Sequence, residues 1–201
     1  MKSVLISIQP KWCELIASWK KTVEVRKTKP KLETPFKVYI YCTSSNKHEC
    51  LMQNESGVKL IYAFDYKSAI PCGGYIANGK VIGEFVCDEI FPIRVFENGT
   101  IQDYNWHVME RSCVPYDDIV NYIGNGCMGY GWHISDLVIY DKPKELGEFW
   151  SADKCPYASK DGCTYKYHCF RAGQTKRCGD TLTRPPQSWC YVAELAKGGE
   201  E

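Results

Sequence analysis

Lys20, Lys21, Glu24 and Arg26 stand close together in the stretch Ser18-Trp19-Lys20-Lys21-Thr22-Val23-Glu24-Val25-Arg26. The three cations can neutralise phosphates, Arg26 bidentately. Glu24 can orient Arg26 or accept a hydrogen bond from the exocyclic amine of a base. Were Lys21 desolvated, it would be the candidate catalytic base of a hydrolase. Tyr39, Tyr41, Trp132 and Trp189 offer stacking faces, worth ~1–3 kcal/mol per base. Gln187 and Ser188 lie in a loop stiffened by Pro185 and Pro186, suited to reading a base edge. As a set these side chains fit a single nucleotide or a flipped base. The competing reading is a structural Glu24–Arg26 pair with solvated lysines and aromatics packed in the core. His133 reads as a hydrogen-bonded barrel residue, and without it no histidine partners an obvious nucleophile, so a serine or cysteine triad has no support.

The elements that must position these residues follow from periodicity. Pro10 opens a helix over 10–18, since proline suits the first helical position. Trp12, Leu15 and Ile16 give that helix an apolar stripe. The period then changes to two in a strand over 22–27, with Val23 and Val25 on one face and Thr22, Glu24 and Arg26 on the other. Strands are also predicted over 3–8, 36–42, 80–90 (with 91–94 as an extension past Pro92), the end of 129–140 and the end of 184–192. A short strand over 58–64 is ambiguous. Residues 43–57 read as a loop or insertion, 95–113 are weakly patterned, and 142–149 read as a loop with a helical turn. A second helix spans 115–123, with Asp117 and Asp118 where the helix dipole favours acids and Gly124 and Gly126 at its end.

Five or six strands with two short helices, mostly non-alternating, point to an α+β fold built on a small mixed barrel with short flanking helices. The organisation predicted is a barrel domain over 1–150 and 182–196, a cysteine-rich basic insertion over 151–181 and a polar tail over 197–201. With 201 residues and 44% hydrophobic content, the chain can bury a core without staples. A net charge of +1 supplies no global field for nucleic acid, so any such contact is local. The apolar run at 4–8 is broken by Ser7, is too short for a signal-peptide core and lacks a cleavage site. No stretch has the apolar length of a membrane span. A cytoplasmic location is therefore the default, despite twelve cysteines.

Cys155, Cys163, Cys169 and Cys178 fall in a loop-like, lysine-rich segment. Four thiolates there could close a tetrahedral structural zinc site. Free surface cysteines and disulfides remain the alternatives, and no Cys-x-x-Cys pair strengthens the metal reading. His168 stands beside Cys169. The same segment is the most basic in the chain, with Lys154, Lys160, Lys166, Arg171, Lys176 and Arg177. Cysteines in strands read as buried small hydrophobes.

Lys21-Thr22-Val23-Glu24-Val25-Arg26 after a short helix resembles the ASCH family signature Gly-x-Lys-x-x-Glu-x-Arg. The strand at Trp132-His133-Ile134-Ser135-Asp136-Leu137 and the ending Pro185-Pro186-Gln187-Ser188-Trp189 look like ASCH proteins of Firmicute prophages. The likeness covers about 1–148 and 184–195. It implies a PUA-like barrel, an RNA- or nucleotide-binding role, and a cleft between barrel and helices lined by Lys21, Glu24 and Arg26. It also implies the alternatives of an N4-acetylcytidine-type amidohydrolase or a ribonuclease. Two departures bear on these. Trp19 stands in the glycine position, so either the turn differs or its ring covers the pocket mouth. Glu24 stands where the hydrolases have their threonine nucleophile, and for their further glutamate the candidates are Glu84 and Glu89. A third reading is an adaptor that docks a protein partner through a zinc-stapled insertion.

Overall fold

The computed structural model describes residues 2–44, 48–55, 58–65, 74–103, 108–152, 158–159, 162–163 and 181–195. Its elements run β1 (Lys2–Ile8), α1 (Pro10–Ala17), β2 (Val23–Arg26), β3 (Phe36–Cys42), β4 (His48–Glu55), β5 (Val58–Asp65), β6 (Tyr75–Ile76), β7 (Lys80–Cys87), β8 (Ile90–Val95) and β9 (Ile101–Asp103). The chain continues through α2 (Val108–Ser112), α3 (Tyr116–Ile123), β10 (Met128–His133), β11 (Ser135–Glu145), a 3-10 turn at Leu146–Glu148, β12 (Ala158–Ser159), β13 (Gly162–Cys163) and β14 (Trp189–Ala193).

The fold is α+β. Its strands form open sheets rather than one closed ring: β11-β7-β3-β1-β14, β2-β10-β8-β9, β5-β4-β6 and the pair β12-β13. β1 and β3 pair in parallel, Ser7 opposite Tyr41 and Ile8 opposite Cys42, which forces the crossover that carries α1 and β2. β14 closes the other side of β1 in antiparallel register, Ile6 opposite Trp189.

Each face of the five-stranded sheet buries its own alternate residues. Val4, Ile6, Val38 and Ile40 pack with Trp132 and with Cys13 and Ile16 of α1. Leu5, Tyr39 and Tyr41 pack with Phe149 and Val192. A further cluster joins Val23 and Val25 of β2 to Ile93, Val108, Ile119 and Ile123, so α2 and α3 cover that sheet. β2 is therefore buried on both faces, Val23 and Val25 in this core and Glu24 and Arg26 on the opposite side.

Sequence and structure part at three places. The stretch read as a loop over 43–57 contains β4, which forms a full hairpin with β5, Cys50 opposite Ala63 and Met52 opposite Ile61. Cys50, Leu51 and Met52 are buried in succession, a pattern without alternation to betray a strand. The weakly patterned stretch holds β9 and α2, and β11 extends to Glu145 before the 3-10 turn.

Cys155, Cys169, Cys178 and His168, and all six basic residues named in that segment, lie outside the described residues; Cys163 is placed only as a residue of β13. Trp150 pairs with Thr181 across an isolated bridge, and Leu182 N–H donates to Phe149 O at 2.8 Å, so the chain leaves and re-enters the sheet at one place. Among the described residues no helix is long and apolar enough to cross a membrane.

Candidate functional site

The site begins with how α1 ends. Trp19 adopts φ 59°, the left-handed conformation. Its N–H donates to Ile16 O and the Lys20 N–H to Leu15 O, both at 2.9 Å, the two bonds of a Schellman turn. The glycine-type turn is thus kept, with a tryptophan in it. The Trp19 ring is 52% exposed and lines no part of the cavity described below. Lys21 N–H also donates to Leu15 O at 2.9 Å, and Thr22 N–H to Arg111 O at 2.8 Å. Arg111 Nε returns a bond to Thr22 Oγ1 at 3.1 Å, so α2 clasps the turn from which β2 departs.

Lys21 is turned inward and is 1% exposed. Its Nζ donates to Val23 O at 2.9 Å and to Ser112 O at 2.7 Å, and lies 3.2 Å from Glu24 Oε2. Two hydrogen bonds and one ion pair thus engage an ammonium that has three N–H bonds to give. Glu24 Oε1 lies 2.9 Å from Arg26 Nη2, which also donates to Ser7 O at 2.6 Å. A buried carboxylate between two buried cations is tolerable only because each is paired, since an unpaired buried charge costs several kcal/mol. Bonding capacity is left over. Glu24 Oε2 meets Lys21 as an ion pair but makes no hydrogen bond, and buried Arg26 Nε makes none either.

These groups line a cavity of about 440 Å³, within the ~300–1,000 Å³ range of small-ligand sites. Ser7, Ile8, Gln9, Lys11 and Trp12 bring β1 and α1 to it; Val114, Asp118, Ile119 and Tyr122 form the wall from α3 and its approach; Thr43 and Gln187 complete it. Ser7 organises the near side. Its N–H donates to Ser188 O at 2.9 Å and its Oγ to Pro186 O at 2.6 Å, which holds Gln187 at the cavity while the Ser7 carbonyl holds Arg26. Lys11 Nζ sits 4.3 Å from the centre of the Trp12 ring, and Lys27 Nζ 5.3 Å from that of Tyr122.

Of the residues expected from sequence, Lys21, Glu24, Arg26 and Gln187 come together here. The others lie elsewhere. Lys20 is exposed in the turn, and Tyr41 packs on the far face of β3. Trp132 stands opposite Glu24 in the β2–β10 register but is fully buried, edge-on to Phe36 at 5.9 Å. Trp189 packs 6.0 Å from Trp132 and donates from Nε1 to Thr28 Oγ1 at 3.0 Å. Ser188 contributes its backbone carbonyl to Ser7. Trp132, wholly in the core, gives no free stacking face. Trp12, read from sequence only as part of an apolar stripe, is the tryptophan of the cavity. Asp118 and Tyr122, at i and i+4 of α3, are the signal in the sequence of a second wall.

Glu84 and Glu89 do not line the cavity. Glu84 pairs with Lys37 at 2.8 Å and accepts from Tyr140 Oη at 2.7 Å; burial pushes the Tyr140 hydroxyl pKa well up, and the Glu84 hydrogen bond adds to it. His133 Nδ1 lies 2.6 Å from Asp88 Oδ1 at the β7–β8 turn, apart from any nucleophile of the cavity. Cys13, Cys42, Cys50 and Cys87 are buried free thiols. Among the described residues no cluster of three His, Cys, Asp or Glu side chains is placed to hold a metal.

No family model matches the chain, and no curated protein matches it. Among solved structures, the chain is similar to ASCH from Zymomonas mobilis, at 18% identity over 72% of this chain and 73% of that one, with a TM-score of 0.46. A tyrosine-to-phenylalanine variant of that protein matches at 19% identity over 73% of this chain and 77% of its own, with a TM-score of 0.46. A serine-to-alanine variant matches at 19% over 72% and 74%, with a TM-score of 0.45.

Proposed function

We propose that this chain is an ASCH-type, PUA-like module that binds RNA or a nucleotide by enclosing one base in the cavity between α1, β2 and α3. The observation that carries the reading is the paired Lys21–Glu24–Arg26 cluster set in the lining of a cavity of ligand size. An acceptor beside a donor matches the edge of a base, where an N–H or exocyclic amine adjoins a carbonyl or ring nitrogen. Trp12 and Tyr122 supply aromatic surface on the two walls, and Gln187 a second polar reader. The motif residues Lys21, Glu24 and Arg26, which carry the family resemblance, are among those that line the cavity.

Recognition is favoured over hydrolysis by the state of Lys21. It is 1% exposed and its Nζ faces three partners, so it holds Glu24 and the end of α2 in place rather than meeting a ligand. A thermal-shift screen of the four ribonucleosides and short RNAs tests the reading, with wild type and Glu24→Gln side by side. Stabilisation of the wild type that the variant loses supports it; no stabilisation by any ligand contradicts it.

A further inference from the structure

The chain between β2 and β3 carries a feature that enclosing a base does not use. Lys27, Lys29 and Lys31 fall within one short stretch, in a chain whose net charge is only +1. All three are exposed, and among the described residues no carboxylate pairs with any of them. The stretch that carries them is pinned. Pro30 is buried, and Leu32 packs against the core that holds Trp132. Thr28 Oγ1 accepts from Trp189 Nε1 at 3.0 Å, and Lys31 N–H donates to Tyr191 Oη at 2.7 Å, so β14 holds the stretch at two points. Pro30 also confines Lys29 to extended backbone.

Aromatic rings stand beside these cations. Lys27 Nζ lies 5.3 Å from the centre of the Tyr122 ring, and Lys29 Nζ 5.4 Å from that of Tyr130. Tyr191, which takes the Lys31 amide, has Lys2 Nζ over its ring at 3.9 Å. Tyr122 is exposed and Tyr130 and Tyr191 are half-buried, so ring surface is open next to the lysines. Tyr122 is also a wall of the cavity, so the row starts at the site and runs towards β14. Exposed lysines alone are a solvated face. Lysines on a pinned backbone, without counter-charge and interleaved with rings, are what a single strand binds: cations for its phosphates and rings for its bases. We infer that residues 27–31 are a track for single-stranded RNA, which continues along it from the base enclosed in the cavity with its phosphates on Lys27, Lys29 and Lys31. The inference rests on the nucleic-acid reading of the cavity and narrows its ligand from a free nucleotide to a strand.

The test is equilibrium binding to the full chain of the four ribonucleoside 5′-monophosphates, a single-stranded RNA of mixed sequence and a polyglutamate peptide of the same charge as that RNA. It is repeated on the triple variant Lys27→Gln, Lys29→Gln, Lys31→Gln. The three side chains are exposed and the Lys31 amide bond is kept, so the variant retains the fold, which its urea midpoint checks. The RNA should bind the wild type more tightly than any monophosphate. With three phosphates held, its affinity should fall roughly twentyfold from about 50 to about 200 mM salt through those contacts. The triple variant should lose that salt dependence and the strand's advantage, while its affinity for monophosphates stays that of the wild type. RNA and monophosphates of equal affinity, or RNA binding and salt dependence untouched in the triple variant, overturn the track and leave the base pocket standing. Polyglutamate bound as tightly as the RNA also overturns it, since the patch then takes any polyanion. RNA bound through the lysines with no monophosphate bound keeps the track and removes the enclosed base. If nothing in the series binds, both fall.

Discussion

Lys21 Nζ lies 3.2 Å from Glu24 Oε2 with 1% and 8% of the two side chains exposed, and the same ammonium ties Val23 O to Ser112 O. One side chain thus fixes the strand that carries the site, the carboxylate of the site and the helix that covers it. Lys21→Met roughly keeps the volume and removes the charge, leaving a buried carboxylate and two carbonyls short of a partner. The expected cost is ~3–5 kcal/mol, read from urea unfolding. Adding Glu24→Gln should recover none of it, because that change takes from buried Arg26 the carboxylate it pairs with at 2.9 Å.

Trp19 in the left-handed turn gives an opposite effect. A residue with a Cβ costs ~1–2 kcal/mol there, and glycine gives back ~0.5–1 kcal/mol of that as chain entropy. Trp19→Gly should therefore gain about 0.5–1 kcal/mol, seen as a higher urea midpoint at unchanged slope. Ligand affinity should stay as it was, since the ring lies outside the cavity lining.

Trp12 and Trp132 separate stacking from packing. Trp12→Leu should weaken nucleotide binding by about tenfold or more, on a stacking value of ~1–3 kcal/mol. Trp132→Phe should leave affinity unchanged and lower stability only, because the indole is wholly in the core. Titration calorimetry and urea unfolding on the same two variants read both effects.

Burial pushes the Cys87 thiol up to about 12, with the Asp88 charge adding to the rise. The unfolded thiol ionises near ~8.5, so at alkaline pH the unfolded state releases a proton that the folded state keeps. The contribution is whole below about pH 8.5 and is lost as pH rises towards the folded value. Stability of the wild type should fall between about pH 9 and 11 more steeply than that of Cys87→Ala, by up to ~1.4 kcal/mol per unit. Equal slopes would place the Cys87 pKa at its ordinary value.

The α1–β2 unit is legible in the sequence because its signals are local: Pro10 at the helix start, the change of period after Trp19, and alternation through Arg26. The α+β class follows from the strong strands read over 36–42 and 80–90, the second of which the structure divides into β7 and the start of β8. How the walls meet is not written locally. Strand alternation puts Glu24 and Arg26 on one face, but the closure of that face comes from Ser7 and the 186–188 loop, which lie far apart in the chain. In sequence Trp132 reads as a stacking candidate and Trp12 only as part of an apolar stripe, and tertiary packing buries the first while leaving the second partly buried in the cavity lining. β4 escapes a reading by period because three consecutive buried residues, Cys50 to Met52, erase the alternation on which strand reading depends.

Whether one base occupies the cavity against Glu24 and Arg26 is read most directly by equilibrium binding of a short single-stranded RNA, and of its constituent 5′-nucleotides, to wild type and Trp12→Leu under matched salt. The result expected is saturable binding to the wild type, weakened about tenfold or more in Trp12→Leu while the variant still unfolds in one cooperative transition. Binding of equal strength to both proteins, or to neither, would contradict it.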